Sequence, residues 1–370
     1  MINFDSLPND LKPTDPRFGC GPSLIPLQYL NGLIEKGPHL LGTSHRQDAV
    51  RNLVGEMQNQ FKKFFNLPAG YEVVLGNGGA TMLWDMIGLG LVKEKSLHFV
   101  CGEFSEKWYK AHANIPWIKA EAKTVAFGEG INPQFLPEYD TTCFTLNETS
   151  TGVMISEIPD RKDYKGLILC DATSGAGQIP VKMDNLDVYY FSPQKVLSGE
   201  GGLYIAFMSP RAIARIKEVK ALKRYSPIFF DWDLALDNST KQQTYNTPSI
   251  INIYLVNEQL KEMNKLGEAK VAEMAKKKAN LLYQWAESKS YLSPYIKNVQ
   301  FRSQAVVTID VQDSIKVDAI LPELRKRKIV YDIDAYRKLG RNQLRISLFH
   351  NITFENLEKL TKLLSLIMES

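Results

Sequence analysis

The stretch GLILCDATSGAGQIPVKMDNLDVYYFSPQKVLSGEGG, residues 166–202, decides the fold. Its first residues, Gly166-Leu-Ile-Leu-Cys170, form a continuous apolar run, the pattern of a strand buried on both faces. The run ends in Asp171, followed by Thr173 and Ser174. A second apolar run, Val188-Tyr-Tyr-Phe191, stops at Ser192-Pro193-Gln194-Lys195 and a glycine-rich turn. An acid thus ends one buried strand and a lysine lies just past the end of the next. Open α/β sheets build their sites at such strand ends. A lysine amine can form a Schiff base with pyridoxal 5′-phosphate (PLP), and a carboxylate can hold a proton on the pyridine nitrogen. Taken alone, the pair reads more readily as a surface lysine and an Asp that caps a turn, and the surroundings decide.

Working outward, Tyr71-Glu-Val-Val-Leu75 reads as a strand running through Gly76-Asn-Gly-Gly-Ala-Thr81 into a helix over 82–91. A strand, a glycine turn and a helix start make a phosphate cradle, or only a tight turn before a capped helix. The string has neither the Gly-Lys-Ser/Thr of a P-loop nor GxGxxG. Ser96–Cys101 is the next strand, with Phe104 just past its end as a stacking aromatic or a core residue. Thr141–Leu146 leads into Asn147-Glu-Thr149, whose side chains suit a site or a turn. Residues 13–26 read as an extended arm, 223–244 as a long polar and aromatic loop, and Asn246-Thr247-Pro248 as a helix cap. Two long helices come next, to about Ser288. From about Pro294 an α+β pattern sets in, with a short strand over 329–331, and Arg345 interrupts the apolar strand 343–349. A guanidinium there pairs with a carboxylate or lies exposed on an edge.

Composition narrows the classes. The chain has 370 residues, 44% hydrophobic and 23% charged, with a net charge of only +4. That suits a globular protein of two domains and offers nucleic acid no basic block. Four cysteines without CxxC, and five histidines not paired at ligand spacing, imply reduced cytosolic usage and no metal site. The N-terminal residues have no apolar segment of signal type, and no run is long enough to span a membrane.

Taken together, FGCGPS (18–23), GTSHR (42–46), GNGGAT (76–81), DATSGAG (171–177), YYFSPQK (189–195), QTYNTP (243–248) and YRKLGRNQLR (336–345) carry a resemblance over nearly the whole chain. It is similar to the class V, fold-type I PLP-dependent aminotransferases, and within them to the phosphoserine aminotransferase family in its actinobacterial branch. The resemblance implies an α/β fold: a large domain with a mostly parallel sheet flanked by helices, and a smaller α+β C-terminal domain. The expected divisions are an arm over 1–20, a large PLP-binding domain over 21–265 and a small domain over 266–370.

By the same resemblance Lys195 carries PLP and Asp171 partners its ring nitrogen. Thr173 and Thr149 support the ring region, and Phe104 stacks on it. Ala80, Thr81 and Gln194 match phosphate-cup positions. Asn246 and Thr247 match residues that reach the phosphate from a second subunit, which implies a homodimer with shared active sites. His45 and Arg46 match substrate-phosphate residues across that interface, and Arg345 the residue for the substrate α-carboxylate. The implied reaction moves an amino group between L-glutamate and 3-phosphohydroxypyruvate in a ping-pong sequence, in the cytoplasm. Two departures bear on the phosphorylated substrate. Ala80-Thr81 stands where the better-known branch has Gly-Arg. Tyr336-Arg337-Lys338 stands where that branch has a His-Arg pair, leaving the assisting cation open among 337–341. The alternative is a class V aminotransferase for an unphosphorylated substrate, of the serine–pyruvate or alanine–glyoxylate type. Cysteine desulfurase chemistry needs a nucleophilic Cys on a late loop, and all four cysteines lie at or before Cys170.

Overall fold

In the computed structural model, residues 4–370 are described. A seven-stranded sheet fills the larger part. Its strands are β1 (Glu72–Asn77), β2 (Lys95–Val100), β3 (Lys119–Thr124), β4 (Thr141–Thr145), β7 (Leu167–Asp171), β8 (Val188–Phe191) and β9 (Leu203–Met208). A short pair, β5 (Asn147–Glu148) and β6 (Val153–Met154), stands apart. The order across the large sheet is β1-β9-β8-β7-β4-β2-β3. β9 pairs antiparallel with both β1 and β8, and every other pairing is parallel. The expected α/β class is therefore the one found. β4, β7, β8 and β9 are buried along their whole length, which is why they read as unbroken apolar runs.

Helices cover both faces. α1 (Leu27–Lys36), α2 (Asp48–Phe64) and α7 (Ile250–Leu266) share one apolar cluster with Phe191, Phe207 and Ile205. α3 (Ala80–Leu91), α4 (Glu103–Ala113), α5 (Pro210–Lys220) and α6 (Trp232–Thr240) pack on the other side, around Leu169, Tyr190 and Ala206. α8 (Glu268–Glu287) leads to a three-stranded antiparallel sheet of β10 (Leu292–Pro294), β11 (Val306–Val311) and β12 (Gln343–Ser347). With α9 (Val317–Lys326) and α10 (Phe354–Met368) these enclose a separate core that also takes in Leu7 and Phe18. The early arm is thus anchored in the C-terminal layer.

Three local readings change. Residues 232–240, expected as loop, form α6. The Asp231 carboxylate caps it, accepting from the N–H groups of Asp233 and Leu234, and Trp232 is buried. β3 escaped notice because it is a charged edge strand with no fully buried residue. The strand expected over 329–331 is a single bridge between Tyr331 and Arg17.

Candidate active site

β1, β2, β4, β7 and β8 all end on one edge of the sheet, and the chemistry-bearing side chains lie just past those ends. They enclose a cavity of about 180 Å³ lined by Ala80, Thr81, Phe104, Thr149, Asp171, Thr173, Gln194 and Lys195. Eight of the residues expected to touch the cofactor therefore converge.

Asp171 closes β7 and is 3% exposed. Its Oδ1 accepts from the Thr173 amide at 2.9 Å and the Thr173 hydroxyl at 2.6 Å. Its Oδ2 accepts from Trp84 Nε1 at 3.3 Å and the Tyr190 hydroxyl at 3.1 Å. Burial pushes its pKa up, and these hydrogen bonds to the anion oppose the rise. Lys195 comes after β8. Its ammonium donates to the Cys20 carbonyl, and burial brings its pKa down to about 8 from 10.5. The arm passes directly over it. Gly21 has φ +119°, and a Cβ there would overlap the Lys195 side chain, so only glycine fits.

The phosphate cradle forms at the start of α3. Gly78 has φ +125°, which turns the chain out of β1, and no side chain caps the helix at Gly79. Its first N–H groups are left to an anion, with the helix dipole behind them. Polar atoms at the cavity stand without partners: Thr145 Oγ1, Gln194 Oε1 and, beside it, Arg345 Nε. A buried polar atom without a partner is costly, and a polar ligand relieves it. An anion cradle, a lysine with a low pKa and a buried carboxylate in one cavity fit PLP.

Arg345 lies on the edge strand β12 but is only half-exposed. Its Nη1 donates to the Thr149 carbonyl at 3.3 Å, and its guanidinium lies 5.4 Å from the centre of the Tyr336 ring. Glu148, between the expected Asn147 and Thr149, is fully buried and ties this loop to α4. Its carboxylate accepts from the amides of Phe104, Ser105 and Ser150 and from both serine hydroxyls. That fixes Phe104 relative to Thr149.

Four expected residues lie elsewhere. Asn246 and Thr247 are exposed, and their carbonyls accept from the Asn77 side chain at 3.4 and 2.7 Å. His45 is buried, with Nδ1 3.3 Å from Thr247 Oγ1 and Nε2 without a partner. Arg46 is exposed. Beside them a crevice is lined by Asn77, Ile228, Phe229, Tyr245 and Asn246. Of these, Ile228, Phe229 and Tyr245 are large apolar side chains at least 40% exposed.

The sequence reading did not find Trp84 or Tyr190, which hold Asp171, nor Glu148. It also kept the histidines apart, yet His98 Nε2 lies 3.1 Å from His112 Nδ1, with Cys143 close by. The three come from two strands and a helix, so no spacing along the chain shows it.

The class-V aminotransferase family model matches residues 28–360, and the chain belongs to that family. The phosphoserine aminotransferase of Corynebacterium glutamicum is 42% identical over 372 residues, covering 100% of this chain and 98% of its own. That of Rhodococcus opacus is 43% identical over 365 residues, 98% of this chain and 97% of its own. Among solved structures, the phosphoserine aminotransferase of Cytophaga hutchinsonii matches with TM-score 0.87 over 95% of this chain and 99% of that one. At 24% identity this likeness speaks for the fold.

Proposed function

We propose that the chain is a phosphoserine aminotransferase, moving the amino group between L-glutamate and 3-phosphohydroxypyruvate to form O-phospho-L-serine and 2-oxoglutarate. The observation that carries the reading is the convergence of Lys195, Asp171 and the α3 cradle on one cavity, with Arg345 at its side, in a chain alike end to end to enzymes of that name. PLP, when bound, supplies an electron sink for the bonds at the substrate Cα.

Lys195 holds the cofactor, and its amine moves the proton at the substrate Cα. A pKa of about 8 keeps a useful neutral fraction near neutral pH. Asp171 holds the proton on the ring nitrogen. Ala80, Thr81 and Gln194 would receive the cofactor's phosphate, Phe104 would stack on its ring, and Thr149 and Thr173 would offer hydrogen bonds to its polar groups. Arg345 takes the substrate carboxylate in its planar fork. Of the cations over 337–341, Lys338 is ion-paired with Glu103, and Arg341 with Asp310 at 2.7 Å. Arg337 is exposed and is our choice to assist the substrate phosphate.

The active sites are shared in a homodimer. Asn246, Thr247, His45 and Arg46 lie outside their own chain's cavity, next to exposed apolar side chains. That is the placement expected of residues that serve a second copy. The same reading divides the chain at about 265 and places the enzyme in the cytoplasm; no helix among the described residues is long and apolar enough to cross a membrane.

Mixing tests the shared site. Lys195→Ala and Arg46→Ala are each expected to be nearly inactive toward 3-phosphohydroxypyruvate. Unfolded and refolded together, they are expected to regain activity, because a mixed dimer holds one site with neither change. Recovery no greater than the sum of the separate variants counts against sharing.

A further inference from the structure

Asp171 is a buried anion without a cation on it: none of the ion pairs among the described residues includes it. Thr173 is a local donor, two residues on, as any Asx turn supplies. The other two donors are not local. Trp84 comes from α3 and Tyr190 from β8, where it stands directly opposite Asp171 in the parallel ladder. Both side chains are almost wholly buried, and both bond the same oxygen, Oδ2.

A third layer holds them. The Trp108 ring meets Tyr190 edge-on, with centres 5.3 Å apart. The Trp108 indole N–H has His112 Nε2 as its acceptor at 3.1 Å. His112 Nε2 also lies 3.1 Å from the Trp84 carbonyl, and its Nδ1 lies 3.1 Å from His98 Nε2. Ser96 Oγ lies within 3.4 Å of both imidazoles. Burial brings the His112 pKa down to about 3 and holds His98 well below its usual value, so the layer is uncharged. A carboxylate in such surroundings keeps its charge through oriented dipoles.

Resting on the function proposed above, we infer that Trp84 and Tyr190 are positioning residues that fix Asp171 in one orientation, as an anion ready for the cofactor's ring nitrogen. The titratable groups facing Asp171 and this layer are Lys195 in the same cavity, Cys170 and Tyr190 on the strands, and Cys143, His98 and His112 behind. Burial keeps the thiols and the phenol protonated and the imidazoles neutral. That leaves Lys195, brought down to about 8, and Asp171, pushed up by burial against its hydrogen bonds.

The test compares Tyr190→Phe and Trp84→Phe with Tyr189→Phe. Tyr189 is the preceding residue on β8, buried in the opposite apolar layer with no partner for its hydroxyl. PLP affinity of each apoprotein is measured by equilibrium dialysis, and the pH dependence of the glutamate half-reaction by stopped flow. Losing one hydrogen bond to a charged group is expected to weaken PLP binding about tenfold in Tyr190→Phe and Trp84→Phe. It slows the half-reaction by a similar factor at saturating glutamate, without changing the concentration for half-saturation. Losing a donor to the anion also moves the acid limb of the rate to higher pH. Tyr189→Phe leaves all three unchanged.

Wild-type affinity and an unmoved acid limb in Tyr190→Phe overturn the inference, even where thermal stability falls. Should Trp84→Phe fold poorly, Tyr190→Phe, which removes a single oxygen, decides. Failure of the wild type to take up PLP would instead sink the functional reading.

Discussion

Lys195→Ala, reconstituted with PLP, is expected to lose at least about 10⁴-fold in turnover with L-glutamate and 3-phosphohydroxypyruvate, while still binding the cofactor. Among the described residues that line the cavity, Lys195 carries the only amine. No neighbour replaces it: Arg345 is always protonated and unfit as a base. The cradle at Ala80–Thr81, the partly buried Gln194 and the buried Asp171 remain to hold PLP by non-covalent contacts. Cofactor content after gel filtration, read beside steady-state turnover, checks both parts. Turnover near the wild-type rate would remove Lys195 from the chemistry.

Asp171→Asn is expected to lower turnover about 10²- to 10³-fold, the usual cost of removing one aimed charge interaction from a site. The change keeps the shape and removes the charge. It also leaves a local conflict. With the amide oxygen kept on the Thr173 donors, the new NH₂ faces the Trp84 indole N–H and the Tyr190 hydroxyl. The hydroxyl can turn to accept, but the indole cannot. Flipping the amide only moves the conflict to the Thr173 amide. The variant therefore also binds PLP more weakly, and titration of its apoprotein checks this. Full turnover in Asp171→Asn would mean that the ring nitrogen needs no anion here.

Those two residues were legible in the chain because buried parallel strands write themselves as apolar runs. Leu167–Asp171 and Val188–Phe191 stand out, and the residues after each run lie at the sheet edge. The glycine turn at 76–81 and the strand arginine Arg345 were legible because each interrupts or ends an apolar strand run, although β1 and β12 pair antiparallel. The groups that hold Asp171 in place were not. Tyr190 looks like one more apolar residue in YYF, and Trp84 like one more in a helix whose buried positions include Leu83, Met86 and Ile87. Their polar ends matter only once β7, β8 and α3 are packed together. Glu148 stands between the legible Asn147 and Thr149, but its partners, Ser105 and the start of α4, lie some 40 positions earlier. α6 was lost because its capping Asp231 and buried Trp232 come after an irregular aromatic stretch that masks the helical period.

The reading that this site transfers an amino group to a phosphorylated oxo acid is tested most directly by following the absorbance of the PLP-loaded protein through one cycle. L-glutamate is expected to abolish the resting absorbance of the bound cofactor, and 3-phosphohydroxypyruvate, but not hydroxypyruvate at the same concentration, to restore it. Equal restoration by hydroxypyruvate would contradict the account, by showing that the phosphate residues proposed here, His45, Arg46 and Arg337, do not select the substrate.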